Sequence, residues 1–521
     1  MASKKALDSN VPKEETTAVR IGNTIRRTMK PIFSGADTRA EYKRILGHLE
    51  FHSGTAFLKF VLCFAAASAL AFLPPYPGLE EAGRWTLGII AFCGLLWMTE
   101  AIPAFAVALL GIGLQIMILG APGGMLFPDG TGGEWERFVE PWASPSMWLF
   151  FGGFILAKAA ARTGLDREIA VHLFRAAGSR PDRVLLTAMG TTFVFSMFLS
   201  NTATAAMMIA ILGPMLANSD STRASRALII GVAFSANIGG MGTIIGTPPN
   251  AIASGLLDGV HSVDFLRWML FGLPPAFLLL VGLSIPLARQ VRSADFSMPV
   301  SSQGREHHWT PRDHEEEFPP RWQRWTVLAV FAVTISLWLS GGWHSIPTAV
   351  VSFVPIVILS ITGVIRGTEV RSLDWDILIL LAGGLSLGVG VSESGLAEWL
   401  AGRIDSFAIP NWMMAMLFCF LTLLLSNFMS NTAAANILIP IGIATGLSSG
   451  GSTEAAAFAI PMALSASTAM CLPISTPPNA IAYASGRLHA RDFLLPGLAV
   501  GLAAVPLTAV WSRLLLQWMG S

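Results

Sequence analysis

The chain is short of charge. Lys, Arg, Asp and Glu make up 13% of its 521 residues, about half the share carried by a soluble domain. Four long stretches have none: from Val184 to Ser219, Ala227 to Leu257, Ser406 to Thr453 and Ala455 to Gly486 there is no Lys, Arg, His, Asp or Glu. An intramembrane enzyme or an ion-only antiporter needs ionisable groups at depth, and these stretches do not supply them. Cysteine is also scarce. Cys63, Cys93, Cys419 and Cys471 stand singly in apolar segments without pair or ligand spacing, so neither a disulfide framework nor a thiolate metal site is expected. Residues 1–50 are polar and basic and lack the apolar core of a cleavable signal peptide. The net charge of +1 points to no partner.

Hydrophobic length is abundant instead. Apolar residues make up 53% of the chain and the mean hydropathy is +0.59. Apolar runs long enough to cross a bilayer as helices recur from Phe57 to Trp518. The pattern predicts an all-α polytopic membrane protein with about eleven spans: 56–73, 86–101, 104–119, 147–161, 226–257 (interrupted), 268–289, 323–340, 347–364, 376–392, 455–485 (interrupted) and 494–516. Segments 180–217 and 406–448 are apolar but broken by Ser-Asn-Thr. Both read as re-entrant hairpins, whose irregular tips are tolerable at membrane depth only where protein or a watery cavity surrounds them.

The polar interruptions are repeated. Ser200-Asn201-Thr202-Ala203 returns as Ser430-Asn431-Thr432-Ala433, and Thr247-Pro248-Pro249-Asn250-Ala251-Ile252 returns as Thr476-Pro477-Pro478-Asn479-Ala480-Ile481. The offsets are 430 − 200 = 230 and 476 − 247 = 229. Gly152-Gly153 and Gly164-Leu165 match Gly383-Gly384 and Gly395-Leu396 in nearly the same register. Polar words doubled within apolar surroundings mark a transporter made of two structural repeats.

Basic residues set the expected orientation. With the N-terminus in the cytoplasm, the flanks of the first hairpin (Arg162, Arg167, Arg175, Arg180, Arg183, Arg223 and Arg226) fall inside. The flanks of the second hold only Arg403 and fall outside, as do Glu134, Glu136 and Glu140. The halves are therefore expected to be inverted, with the C-terminus outside. The expected organisation is a cytoplasmic extension (1–50), a first span (51–85), repeat 1 (86–290), a cytoplasmic linker (291–322) and repeat 2 (323–521). Residues Ala36 to Leu49 read as an interfacial helix, and His307, His308 and His314 as part of a solvated linker rather than a metal site. Segments 165–178 and 396–409, amphipathic and each just before a hairpin, suit helices lying along the membrane surface.

The chemistry follows from the residue types. Ser, Asn and Thr present hydroxyl and amide oxygens, and at a helix start they leave backbone N–H groups facing an anion. Consecutive prolines unwind a helix and free neighbouring carbonyls. Two opposed tips thus fit a small molecule with two negative ends, for instance a dicarboxylate. Without a protein cation nearby, such an anion needs a companion positive charge, and uncharged hard oxygens suit Na⁺. Ser196 and Ser426 lie four residues before Ser200 and Ser430, on the same helix faces. Glu100 reads as structural, and Lys59 and Lys158 as snorkelling residues.

These motifs, together with Trp97 to Pro103 and Phe151-Gly152-Gly153-Phe154, resemble the divalent anion/sodium symporter family of Na⁺-coupled di- and tricarboxylate carriers, from about Phe57 to the C-terminus. The resemblance implies a homodimer in which a transport domain moves as an elevator against a scaffold domain, carrying succinate-, malate- or fumarate-like substrates with two or more Na⁺. One Na⁺ site would involve Ser196, Ser200, Asn201 and Gly246; the other would involve Ser426, Met429 through its backbone, Asn431 and Ser475. The substrate would touch Asn201, Thr202, Thr247, Ser430, Asn431, Thr432, Thr476 and Pro477. In one respect the halves differ: Met470-Cys471-Leu472-Pro473-Ile474-Ser475 stands where the first half has Gly239, Gly240 and Gly242. The expected function is Na⁺-coupled import of C4-dicarboxylates across the plasma (inner) membrane. The nearest alternatives are a Na⁺-independent dicarboxylate exchanger and a sulfate or citrate carrier of the same fold.

Overall fold

The computed structural model describes residues 53–126, 134–178, 180–217, 222–292, 320–405 and 409–520. The expected interfacial helix at Ala36 to Leu49 and nearly all of the linker lie outside them. The chain divides at Phe57; of Met1–Phe57 only Ser53–Phe57 is described, and the contacts below belong to Leu58–Ser521.

The regular elements among the described residues are helical. They begin with α1 (Ser53–Phe72), α2 (Glu81–Thr99), α3 (Ala104–Gln115, ending in a wider turn at Ile116–Gly120), α4 (Pro145–Thr163) and α5 (Leu165–Ala177). There follow α6 (Pro181–Ser196), α7 (Asn201–Ala217), α8 (Thr222–Gly240), α9 (Pro248–Leu256) and α10 (Phe265–Val291). The second half comprises α11 (Arg321–Leu339), α12 (Phe353–Ile361), α13 (Trp375–Glu393), α14 (Leu396–Asp405), α15 (Asn411–Ser426), α16 (Asn431–Ala466), α17 (Pro477–Ala484) and α18 (Ala490–Gly520). Short helical turns also precede and follow α12.

Seven of these helices are long and apolar enough to cross a membrane: α1, α2, α10, α11, α13, α16 and α18. The count is below eleven because several expected spans are built from pieces. The span expected at 226–257 is α8, a short turn at Ile244–Gly246, and α9. The span expected at 347–364 breaks at Ser352, because Pro355 has no N–H to offer the carbonyl of Val351. Conversely α16 is two helices in one: Gly450 and Gly451 leave helical geometry, and Gly451 has φ of +74°, a conformation natural to glycine.

The core lies around two elements that are buried on every side. Each residue from Ala227 to Gly240 in α8 is buried, and so is each residue from Ala455 to Ala466 in α16. Their composition explains this: Gly, Ala and Ser let neighbouring backbones come close. The hairpin helices pack on them, α6 against α8 and α15 against α16. The short helices cross over. α9 packs against α16, and α17 packs against α7 and α8. This exchange joins the two halves where both chains are broken.

Around this centre, α2, α3 and α13 pack together, as do α4, α11 and α12. Glu100 closes α2 with φ of +49°, a helix-ending conformation, and Trp97 Nε1 donates to Ala104 O at 3.1 Å across the turn. Lys59 does not simply reach outward: its Nζ donates to Thr99 O, satisfying an end carbonyl of α2. The amphipathic helix α5 buries Ala170 and Phe174, while Ile169 and Leu173 are exposed. Its Glu168 accepts from Arg324 at 2.8 Å, tying it to α11. All four cysteines are buried and free.

Candidate functional site

Both hairpin tips are made by the same bonds. At the end of α6 the amides of Met197, Phe198 and Leu199 donate to Val194, Phe195 and Phe195 O. At the end of α15 those of Asn427, Phe428 and Met429 donate to Leu424, Leu425 and Leu425 O, the same pattern 230 residues later. The chain then reverses and starts a new helix at Asn201 or Asn431. Ser430 accepts from the backbone N–H of Ala433 at 3.2 Å as an N-cap. The free amides and the dipole of such a start favour negative charge.

Beneath each tip three oxygens converge. Ser196 Oγ lies 2.5 Å from Asn201 Oδ1 and 2.6 Å from Ala236 O. Ser426 Oγ lies 2.7 Å from Asn431 Oδ1 and 3.0 Å from Ala466 O. A hydroxyl carries one proton, so it can fully satisfy only one of its two acceptors. Each cluster therefore holds more lone pairs than hydrogens, in surroundings where Ser196 and Ser426 are wholly buried. A small cation relieves that excess. The first cluster extends further: a Cβ placed on Gly240 would stand 2.8 Å from Asn201 Nδ2 and 3.1 Å from Gly246 O. Ser196, Asn201 and Gly246 are thus near one another.

The Thr-Pro-Pro-Asn words start the short helices that follow each break. Their prolines occupy the first turn of α9 and α17, where an absent N–H costs nothing. Their asparagines, which sequence reasoning had not singled out, clamp the preceding loops. Asn250 Nδ2 donates to Gly240 O at 2.9 Å and Thr243 O at 2.7 Å. Asn479 Nδ2 donates to Met470 O and Leu472 O, both at 3.0 Å. The two halves then diverge. Asn237, at the end of α8, donates across the halves to Thr476 Oγ1 at 3.0 Å and Asn479 Oδ1 at 3.2 Å. Ser467 follows Ala466 as Asn237 follows Ala236, and its shorter side chain bonds only Ala463 O. Asn250 Oδ1 is accordingly left buried without a partner.

The remaining expected residues are placed as follows. Thr202, Ser430 and Pro477 are exposed, while Ser200, Asn201 and Asn431 are half-buried. Thr247, Thr432 and Thr476 are buried. Met429 is buried too, its amide held by Leu425 O. Ser475 is held from the second tip: its hydroxyl faces Asn427 O and Oδ1 and receives the amide of Leu472. Asn427 Oδ1 also accepts from Cys471 N at 2.9 Å. The two loops are thus held differently. Asn427 pins the second loop with its side chain, whereas Met197, at the matching position, lies over Gly242 in the first. Asn237 and Asn427 could not be picked out by repetition, because Ser467 and Met197 occupy their counterparts; Asn250 and Asn479 could, since they close the doubled word.

No protein charge lies in the stretches that build the site. The bordering ions are paired elsewhere: Arg226 with Asp492, and Glu454 with Arg513 at 2.8 Å.

Comparison with known proteins agrees with this picture. The citrate transporter family profile matches residues 95–460 and 342–520. A sodium-dependent dicarboxylate transporter of Staphylococcus aureus (strain bovine RF122) is 30% identical over 455 residues, spanning 81% of this chain and 84% of that protein. The one from Staphylococcus saprophyticus is 28% identical over 458 residues, covering 82% and 85%. Among solved structures, the YdaH transporter of Alcanivorax borkumensis shares the fold with a TM-score of 0.51 at 16% identity, covering 80% of this chain and 97% of that one. Together with the doubled motifs, these matches show that the chain belongs to the citrate transporter family, within the divalent anion/sodium symporter group: it is an integral membrane transporter and not an enzyme.

Proposed function

We propose that this protein imports C4-dicarboxylates of the succinate, malate and fumarate class together with Na⁺. The observation that carries the reading is the doubled oxygen cluster: Ser196, Asn201 and Ala236 O in one half, Ser426, Asn431 and Ala466 O in the other. Each has surplus lone pairs and no protein cation. Na⁺ at both clusters supplies the positive charge that a dianion at the adjoining helix starts requires, so neither species binds well alone. Substrate and ion are then coupled by electrostatics, without a titratable relay. The names of the two staphylococcal relatives support the same reading.

Ser200 and Gly246 complete the first cluster, and Met429 and Ser475 the second. Asn201, Thr202 and Thr247 face the substrate from one half, and Ser430, Asn431, Thr432, Thr476 and Pro477 from the other. The halves form an inverted repeat, and the hairpins with α8, α9, α16 and α17 move as a transport domain, with α5 and α14 as arms joining it to the scaffold of a homodimer in the plasma membrane. Proteoliposome uptake tests the function: labelled succinate should enter only with an inward Na⁺ gradient and be competed by malate and fumarate. Uptake that ignores Na⁺ but requires internal dicarboxylate would establish an exchanger instead. Citrate belongs in the competitor panel because the family profile bears its name.

One substitution separates the ion clusters from the overall fold. In Gly240→Ala the new methyl stands 2.8 Å from Asn201 Nδ2 and 3.1 Å from Gly246 O. It should raise the Na⁺ concentration for half-maximal uptake about tenfold or more, since one displaced ligand to a charge is worth roughly 1.5–3 kcal/mol. A Na⁺ titration of initial uptake rates checks this.

A further inference from the structure

The two helix-starting threonines occupy equivalent places but are not chemically equivalent. Thr476 Oγ1 accepts twice: from Asn237 Nδ2 at 3.0 Å and from the backbone N–H of Asn479 at 3.3 Å. Both lone pairs of its hydroxyl are therefore engaged, and its proton has no acceptor among the described residues. Thr247 receives no such capping bond, and Ser467, which has no side-chain amide, turns its hydroxyl to Ala463 O. Its hydroxyl can still turn either way.

We propose that Asn237 is a positioning residue that fixes Thr476 as an obligate hydrogen-bond donor, so that one carboxylate of the substrate is anchored at Thr476, at the start of α17, and not equally at Thr247. The inference rests on the dicarboxylate reading above and adds an orientation to it. A carboxylate only accepts hydrogen bonds. A hydroxyl free to rotate can present a lone pair to it and repel it; one whose lone pairs are both occupied cannot. Asn250 shows what the second half would look like without this amide: its Oδ1 is buried with no partner, whereas Asn479 Oδ1 receives Asn237.

The test is a double-mutant cycle on succinate affinity, measured by calorimetry on the purified full-length protein in saturating Na⁺. Asn237→Ser copies the residue found at position 467 and so suits the backbone. It should weaken succinate binding about tenfold, as should Thr476→Val, each removing the directed donor to a charged group. Combining them should cost no more than Thr476→Val alone, because both act on one hydrogen bond. Asn237→Asp, which offers Thr476 an acceptor and turns its proton inward, should weaken binding further, while Thr476→Ser should retain it. Half-saturating Na⁺ in Asn237→Ser should stay near the unmodified value. Additive losses, or unchanged affinity in Asn237→Ser, would overturn the proposal. If the unmodified protein binds no succinate at all, the dicarboxylate reading has failed instead. Should Asn237→Ser not purify as a single species, Asn237→Gln serves as the second variant, since it keeps the amide but misplaces it.

Discussion

Asn201→Ala and Asn431→Ala should each reduce Na⁺-driven succinate uptake by about a hundredfold or more, while the purified proteins keep their thermal stability. Each asparagine does two things at once. Its Oδ1 belongs to an oxygen cluster, 2.5 Å from Ser196 Oγ in one half and 2.7 Å from Ser426 Oγ in the other. Its backbone begins the helix whose free amides would meet the anion. Truncation removes a ligand worth roughly 1.5–3 kcal/mol to an ion, and an ion lost from one cluster also withdraws charge from the substrate. The fold should survive because both side chains are only half-buried and the serine that faces each keeps its backbone acceptor, Ala236 O or Ala466 O. Uptake rates and a melting curve on the same preparation check the result. Normal Na⁺-coupled uptake by either variant would remove these residues from the site.

The opposite profile is expected from Gly239→Ala, where stability should fall before any question of binding arises. A Cβ on Gly239 would lie 2.9 Å from Phe193 Cα and 3.0 Å from its carbonyl carbon, and closer still to its oxygen. These are backbone atoms of α6, so relief requires α6 and α8 to separate along the contact that supports the first tip. Overpacking of this kind costs about 1–3 kcal/mol, or more where backbone must move. Gly190→Ala, in the same hairpin but with open space around its Cβ, is the control and should be tolerated. Equal melting temperatures for the two variants would show that the close approach carries no weight.

Much of the site could be read from the chain because its elements are repeated. Ser196, Ser200 and Asn201 recur as Ser426, Ser430 and Asn431 in the same order and spacing, around a polar break in each apolar segment. The absence of charge across the same stretches needed no coordinates either. Asn237 could not be found this way, since its importance lies in a difference between the halves and its partner Thr476 is 239 residues away. The bonds that hold Ser475 were not legible either: its hydroxyl is held by Asn427, a residue that replaces Met197 of the first half. The eleven expected spans likewise reflect hydropathy, which counts apolar length but does not see Pro355 interrupting the span expected at 347–364.

The sequence by itself determined that this is a helical membrane transporter of one family, with two doubled polar breaks and no ionisable group near them, because periodicity, length and charge are properties of the chain alone. Tertiary structure decided which carbonyls complete the oxygen clusters, that α9 and α17 exchange partners between the halves, and that one amide breaks their equivalence. Those features depend on the close approach of residues remote in sequence, and side-chain reach across such a contact leaves no trace in the order of residues.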